Sequence, residues 1–486
     1  MKLSISIHYK TSTDQAPLLN IVNNDKEITI PMNSMPCDLW RAETEIETTP
    51  NHQLDYYYSV GDRQESQINS ITLEPQYEWY VIEDHWHDPL EYPSLSSSPF
   101  VNIFNKAKKK NQKGNLCFEI KYPTPTSPEQ KIVMVGNCPE LGDWNPKKAP
   151  QFQQIGSERW QLKIPYQELP STIEYKYVIL SPQTTQWEEG ENRKRELNGA
   201  SPQTYYIYSR EAAPRIKPSP WQGAGVAIPL FSLRSENSAG IGDFADLEKF
   251  AQWTASIGAK VVQILPINDT TQTHTHQDSY PYSAISVYAL HPLYLSLDRM
   301  GILQDATLAH QIADRAQQLN NLELLDYDKV DTLKWEFFRA LYRQDGARTL
   351  ESKEYQRFYN QNQKWLKPYA LFSFLRDING TADYSQWGEW KEYDPQKADR
   401  LVSPQGGEYQ EIAIYLYLQY HLDKQLREVR QACAQMGVAL KGDIPIGVNR
   451  HSVESWIEPH LFNLNAQAGA PPDAFSSQGQ NWGLPT

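Results

Sequence analysis

Gly225-Val-Ala-Ile-Pro-Leu-Phe231, a helical stretch opening at Asp243, and Lys260-Val-Val-Gln-Ile-Leu-Pro266 decide the fold of the larger part of this chain. The first and last are short apolar runs, as strands buried on both faces require. Between them Asp243 stands where an N-cap belongs, and Leu247, Phe250, Ala251, Thr254 and Ile257 fall on one helical face before Gly258. Strand, helix, strand over so short a span is the βαβ unit of a parallel sheet. Working outward, residues 303–400 read mainly as helices with Trp- and Tyr-rich loops. A helix with Ile412, Leu416, Leu422, Val429 and Cys433 on one face, stopped by Gly437, delivers the chain into a third apolar strand, Val438-Ala-Leu-Lys-Gly-Asp443. That strand ends on a carboxylate, and the loops beyond it carry Asp473, Gln480 and Trp482. A carboxylate at a strand end, facing aromatic and amide groups on loops, describes a sugar site on a parallel barrel. The plain alternative is a buried Asp capping loop backbone.

Upstream the pattern has no helical period. Residues 1–92 read as short strands with turns between them, among them Leu18–Val22, Leu54–Val60 and Glu78–Ile82, a small β-sandwich. Residues 114–210 repeat the style with Leu116–Ile120, Lys131–Val135, Trp160–Ile164 and Ile173–Ile179. Trp40 followed by Leu54-Asp-Tyr-Tyr-Tyr58 is answered by Trp160 followed by Ile173-Glu-Tyr-Lys-Tyr177, so the two read as tandem copies of one module. The stretch 93–113, with the basic run Lys106–Lys113, reads as a solvated linker, and 211–222 as a Pro-rich one. Residues 223–486 form the α/β region.

Composition narrows the partners. A net charge of -13 argues against nucleic acid. No stretch approaches the roughly 20 apolar residues that span a bilayer, and Met1–Tyr9 alternates like a strand with no signal-peptide core. Cys37, Cys117, Cys138 and Cys433 lack metal-ligand spacing and suit reduced thiols, so a cytoplasmic location is expected. The chain holds 14 Trp and 29 Tyr, whose faces stack on pyranose rings, so carbohydrate is the expected ligand class. His274-Thr-His276 has no further ligand at metal spacing and reads as a polar loop. Arg450-His451-Ser452 does not assemble into a triad. No metal and no organic cofactor is expected.

In the second β-module, Leu141-Gly-Asp-Trp-Asn145 puts Trp144 on a turn, and Gln186-Trp-Glu-Glu-Gly-Glu-Asn-Arg193 does the same for Trp187. Two exposed indoles beside Lys176 and Asn192 would make a platform for consecutive glucose units; otherwise each Trp packs under its own loop. The LGDW turn, the E-Y-K-Y strand and W-E-x-G-x-N-R, in this order, resemble the family-20 starch-binding module. That resemblance implies that Trp144, Lys176, Trp187 and Asn192 bind α-glucan. In the first module LGDW and W-E-x-G-x-N-R are missing and Tyr57 stands in place of Lys176, which puts its main sugar site in doubt.

The α/β region resembles the 4-α-glucanotransferases of glycoside hydrolase family 77. The matching residues are Ser238-Ala-Gly-Ile-Gly-Asp-Phe244, Gln263-Ile-Leu-Pro266, Asp278-Ser-Tyr-Pro-Tyr-Ser-Ala-Ile-Ser-Val-Tyr-Ala289, Trp365-Leu-Lys-Pro-Tyr-Ala-Leu-Phe372, Lys441-Gly-Asp-Ile-Pro-Ile446 and the stretch from Gly469 to Pro485. The fold implied is two all-β starch-binding sandwiches followed by an incomplete parallel α/β barrel of TIM type. The resemblance implies that Tyr282 and Asp443 line the donor side of the cleft, and that Asp473, Ser476, Gln480 and Trp482 belong to a loop folding over the glucan. It implies retaining transfer of α-1,4-glucosyl or maltosyl units among maltose, maltodextrin, glycogen or starch. In that family the nucleophile and the acid/base lie in motifs downstream of GQNWG-P. Both catalytic carboxylates are therefore expected beyond Thr486, with this chain an inactive N-terminal fragment of a longer product. The competing expectation is a non-catalytic α-glucan-binding protein.

Overall fold

The computed structural model describes residues 1–10, 15–23, 26–46, 53–65, 68–86, 103, 112–123, 129–156, 158–197, 204–217 and 223–486. Most of the basic run, residues 106–111, and Pro218–Pro220 of the second linker lie outside the described residues. The chain divides into two compact units, Met1–Gln222 and Gly223–Thr486.

The first unit is all β. Its first half holds β1 (Lys2–His8), β2 (Leu18–Asn23), β3 (Lys26–Pro31), β4 (Asn33–Met35), β5 (Leu39–Glu45), β6 (Gln53–Val60), β7 (Arg63–Gln64), β8 (Asn69–Thr72) and β9 (Trp79–His85). Its second half holds β10 (Leu116–Lys121), β11 (Lys131–Gly136), β12 (Gln153–Gln154), β13 (Arg159–Ile164), β14 (Thr172–Leu180), β15 (Thr185–Trp187), β16 (Arg193–Glu196) and β17 (Tyr205–Glu211). The halves repeat each other's pairings. β1 pairs antiparallel with β5 and parallel with β9, as β10 does with β13 and β17. β2 pairs with β6 as β11 does with β14.

What the alternation pattern did not foretell is that the halves share a sheet. β17 lies parallel to β9, and eight strands run in the order β12-β13-β10-β17-β9-β1-β5-β4. Successive side chains of a strand point to opposite faces, and here each face serves a different core. Tyr206 and Tyr208 pack with Leu3, Ile5, Tyr80 and Ile82 of the first half. Ile207, between them, packs with Leu116, Phe118 and Ile120 of the second. Arg210 continues the first face and is 2% exposed. Its Nη1 donates to Asp84 Oδ1 at 2.9 Å and to the Tyr56 hydroxyl at 2.8 Å, and its Nε to Glu119 Oε1 at 3.4 Å. Arg159 binds Glu119 with a two-pronged edge, Nε to Oε1 at 2.7 Å and Nη2 to Oε2 at 3.0 Å. Burial pushes the Glu119 carboxyl up, but Arg210 and Arg159 overcome it and hold it at about 2.

The second unit contains α1 (Phe244–Ser256), α2 (Ala306–Asn320), α3 (Tyr327–Glu351), α4 (Lys353–Asn379), α5 (Pro395–Leu401), α6 (Tyr409–Gln435) and α7 (Val453–Ile457). Its parallel sheet is β18 (Gly225–Ala227), β19 (Val261–Gln263) and β20 (Ala439–Lys441), in that order. These strands are shorter than their apolar runs. Pro229 and Pro266 carry no N–H for a ladder, and after Pro229 the chain turns into a single 3-10 turn, Leu230–Ser232. Asp243 caps α1 as its position predicts, accepting from the backbone N–H of Ala245 and Asp246 in a capping box. Gly437, at φ 71°, follows the end of α6. Three parallel strands do not close on themselves, and no closed barrel is formed among the described residues.

Removing Arg210 should disturb both halves of the first unit together. Arg210→Ala leaves Asp84 and Glu119 buried without their shared cation, a cost of about 3–5 kcal/mol. Hydrogen exchange on the whole chain should show β1 and β10 amides losing protection in parallel; loss confined to one half would refute a charge network that couples the two.

Candidate functional site

Two places gather the residues singled out by sequence. In the first unit the platform residues lie on the outer face of the sheet β11-β14-β15. Lys176, Val178 and Leu180 alternate outward along β14, and Trp187 sits opposite Val178 in the β15 register. Trp144 packs partly buried against Val133, Val135 and Val178, while Trp187 is 41% exposed. The LGDW turn is tight for a definite reason. Gly142, Asp143 and Trp144 all take left-handed backbone, at φ 81°, 48° and 60°, and a Cβ at Gly142 would stand 2.8 Å from the Asn145 carbonyl and the Ala149 nitrogen.

W-E-x-G-x-N-R contains a pair whose role sequence reading passed over. Glu188 and Arg193 face each other across the loop at 2.7 to 3.1 Å, with Glu188 2% exposed. Arg215 donates its backbone N–H to the same carboxylate at 3.1 Å, and Arg193 reaches Glu211 at 3.1 Å. Burial raises the Glu188 carboxyl, but hydrogen bonds and charge from Arg193 turn the balance, leaving it below its ordinary value. The pair shapes the loop that presents Trp187. Lys176 supports the same loop, donating to the carbonyls of Glu188, at 3.0 Å, and Gly190. Asn192 donates to Glu174 at 3.4 Å. In the first half, Tyr57 occupies the place of Lys176 and its hydroxyl donates to Glu27.

In the second unit, the Tyr282 hydroxyl donates to Asp443 Oδ2 at 2.8 Å. Tyr282 lies on the loop that leaves the C-terminal end of β19, and Asp443 lies just past the C-terminal end of β20, so the pair spans the carboxyl ends of neighbouring parallel strands. The donated hydrogen bond raises the Tyr282 phenol above its usual value. The Ile444 backbone N–H donates to Asp443 Oδ1 at 3.0 Å. The other four residues form a separate hairpin, β21 (Gly469–Ala470) with β22 (Gln480–Asn481). Asp473 Oδ1 accepts from the backbone of Phe475 at 2.8 Å and of Ser476 at 2.7 Å, Ser476 Oγ donates to the Gly479 carbonyl at 2.7 Å, and Trp482 Nε1 donates to Gln480 Oε1 at 2.9 Å. Phe475 stands 99% exposed at the hairpin tip, an apolar ring that the sequence reading did not single out.

The loop bearing Tyr282 is held by groups that sequence alone left unassigned. Its base is pinned by backbone bonds from Asp269 to Ala289 at 2.9 Å and from Ile285 to Asp269 at 2.8 Å. Gln419 of α6 grips both the N–H and the carbonyl of Leu290, at 2.9 and 2.7 Å. Asp278, itself 2% exposed, accepts from the backbone of Thr273 and His274. His274 is wedged between Asp331 and Asp377, so the polar loop read from sequence is in fact an ion-paired one. Ser452 caps α7, and His451 Nδ1 lies 3.4 Å from Asp383 Oδ1.

Comparison with known proteins agrees with this division. The profile of a family described as 4-alpha-glucanotransferase, glycoside hydrolase family 77, matches residues 228–486, and that of a starch binding domain matches residues 115–205. The chain is 38% identical over 357 residues to the 4-alpha-glucanotransferase DPE2 of Oryza sativa subsp. japonica, an alignment covering 73% of this chain and 37% of the rice protein. It is 35% identical over 271 residues to the 4-alpha-glucanotransferase of Chlamydia caviae, covering 54% of this chain and 48% of that one. Among solved structures, the amylomaltase from Streptococcus agalactiae in complex with acarbose matches at 25% identity and a TM-score of 0.43, over 55% of this chain and 53% of that chain. The chain thus spans about half or less of the curated relatives it matches.

Arg193→Ala should strand Glu188 in the interior and loosen the Trp187 loop at a cost of about 2–4 kcal/mol. Acrylamide should then quench Trp187 emission more strongly, in a background where the other indoles serve as the constant reference; unchanged quenching would detach the ion pair from the loop.

Proposed function

Because the chain belongs to the 4-alpha-glucanotransferases of glycoside hydrolase family 77, we propose that it is the substrate-gathering part of an enzyme that moves α-1,4-glucosyl or maltosyl units from one glucan to another. The observation that carries this reading is the Tyr282–Asp443 pair at the carboxyl ends of β19 and β20. Ligands of parallel α/β sheets bind at that end of the strands. There a carboxylate with a spare acceptor position and a phenol beside it suit the hydroxyls of a glucose ring. Asp473, Ser476, Gln480 and Trp482 are assigned to a hairpin that closes over the glucan, with Trp482 as the stacking ring. A closed, dry site favours a sugar hydroxyl over water as acceptor, which makes the reaction transfer rather than hydrolysis. The three parallel strands are read as the first part of a (β/α)8 barrel.

Catalysis in this reading is retaining double displacement: one carboxylate attacks the anomeric carbon, and another protonates the leaving oxygen and then accepts the proton of the incoming hydroxyl. Asp443 is assigned to binding rather than attack, with Tyr282 and the Ile444 N–H holding its orientation.

Residues 114–210 are assigned as the starch-binding module, with Trp144 and Trp187 stacking on successive glucose units and Lys176 and Asn192 at their edge. Residues 1–92 are assigned as a second copy, 93–113 and 211–222 as linkers, and 223–486 as the barrel portion. Holding a long glucan on the module raises its concentration at the cleft. A cytoplasmic setting is supported by the four unpaired cysteines. No described helix is long and apolar enough to cross a membrane.

The 486-residue chain should bind amylose, and Trp144→Ala with Trp187→Ala should weaken affinity by about tenfold or more. Expressed at the length of its relatives, the protein should release glucose from maltose by disproportionation, and Tyr282→Phe should lower kcat/KM by about tenfold. Undiminished amylose affinity in the double variant would overturn the platform. A Tyr282→Phe enzyme of full activity would overturn the cleft assignment.

A further inference from the structure

We propose that His274 is a positioning residue for Tyr282: as a cation bolted between α3 and α4, it fixes the loop that presents the phenol to Asp443. The inference rests on the reading of Tyr282 as glucan-facing only where it predicts binding; the bolt itself stands on geometry. His274 Nδ1 lies 2.9 Å from Asp331 Oδ2 on α3, and Nε2 lies 3.2 Å from Asp377 Oδ1 on α4. Its backbone is left-handed, at φ 58°, a conformation that costs free energy in a non-glycine residue and persists where its surroundings enforce it. Asp278 provides the enforcement from within the loop, accepting from the His274 N–H at 2.7 Å and the Thr273 N–H at 2.9 Å. Beyond the bolt the loop has a further tie to α3, the His276 N–H donating to Asp328 Oδ1 at 2.5 Å, and the stiff Tyr280-Pro281-Tyr282 segment then carries the phenol to Asp443.

The groups facing His274 decide its charge: Asp331 and Asp377 favour the cation, and Arg376 opposes it. From α3 come Asp331 and the Trp335 ring, whose centroid is 5.4 Å away. From α4 comes Arg376, 2% exposed, with its Nε at 2.7 Å from Asp377 Oδ1, its Nη1 donating to the Thr271 carbonyl at 2.9 Å and its Nη2 3.3 Å from His274 Nε2. From α6 the Tyr415 hydroxyl donates to Asp377. The loop itself contributes Asp278 and the buried His291. Two carboxylates, Asp331 and Asp377, thus face two cations, His274 and Arg376. Neutralising the imidazole leaves an uncompensated negative charge in a largely buried place. Burial pushes His274 down, but its hydrogen bonds to Asp331 and Asp377 win and raise it to about 9. A raised folded-state value means that the bolt is complete below pH 6.5 and is lost as pH rises through about 9.

The test is limited chymotrypsin cleavage of the whole chain at the Tyr282–Ser283 bond, normalised to a free peptide at each pH. Cleavage tracks the fraction of time the loop is open. His274→Gln keeps a hydrogen-bonding side chain without the charge. At pH 7.5 it should be cut about tenfold faster than the unaltered chain, the loss expected from one charge-assisted hydrogen bond. Cleavage of the unaltered chain should accelerate through pH 9, and that of the variant should stay flat. Equal rates at pH 7.5, or an unaltered chain whose rate stays level to pH 10, would overturn the bolt. Should the variant fail to fold, the pH series on the unaltered chain decides alone. Maltoheptaose affinity, measured with Trp144→Ala and Trp187→Ala in place to silence the module, separates the two readings. Affinity falling with loop opening supports both; a loop that opens with affinity unchanged keeps the bolt and removes Tyr282 from the glucan.

Discussion

A guanidinium carried out of water must be met by carboxylates already waiting for it, and Arg210 is where the first unit satisfies that demand. Its partners come from far apart in sequence: Asp84 and Tyr56 from the first half, Glu119 from the second. An uncompensated ion in that position would cost several kcal/mol, more than most single interactions supply. The two halves therefore have to be in place together. Backbone pairing of β9 with β17 brings them side by side, and the charge network makes any other arrangement expensive. Further pairs follow the same seam: Arg195 with Glu83 at 2.9 Å and Lys163 with Glu74 at 3.2 Å. Being more exposed, these two contribute register more than stability.

The second unit solves a related problem with a different balance. Its loops at the carboxyl ends of β19 and β20 are long and polar, and loops of that kind are ordered only if their backbone groups find partners. Side chains on the helices supply them. Gln419 and Gln425 of α6 clasp the backbone at Leu290 and Ser296, and Lys334 of α3, fully buried, donates to the carbonyls of Leu293 and Leu295. Tyr369 of α4 donates to Asp269 at 2.7 Å. The polar interior of this unit is a scaffold for the loop between Ile264 and His291, which carries Tyr282 to Asp443.

Local features were legible in the sequence where they depend on neighbours along the chain. The Asp243 cap, the stops at Gly258 and Gly437, the duplicated Trp-and-Tyr pattern and most strands of the first unit could be read directly, because caps, periodicity and turn residues act over a few positions. The nearness of Tyr282 to Asp443 was reached through family resemblance rather than physics, since nothing in either stretch names the other. Features that depend on distant partners escaped, as did the Glu188–Arg193 pair. The apolar runs at Gly225 and Lys260 promised longer strands than Pro229 and Pro266 allow. His274 looked like an idle polar residue because its partners, Asp331 and Asp377, lie more than fifty positions away on helices whose buried acids resemble surface ones in a periodicity plot. The eight-stranded sheet was hidden for a similar reason. β17 reads as an ordinary strand, and alternation tells that it has two faces without telling that each belongs to a different core.

That double allegiance of β17 makes the duplication hard to undo. A single-residue insertion or deletion between Thr204 and Glu211 would turn Tyr206, Tyr208 and Arg210 toward the wrong layer and send Ile207 into the charge network, spoiling both sandwiches in one stroke. Two halves that repeat each other's pairings are, through this strand, not separable parts: β17 of the downstream half runs parallel to β9 of the upstream one. Recombination that shuffled either half alone into another protein would leave its donor with an open wall.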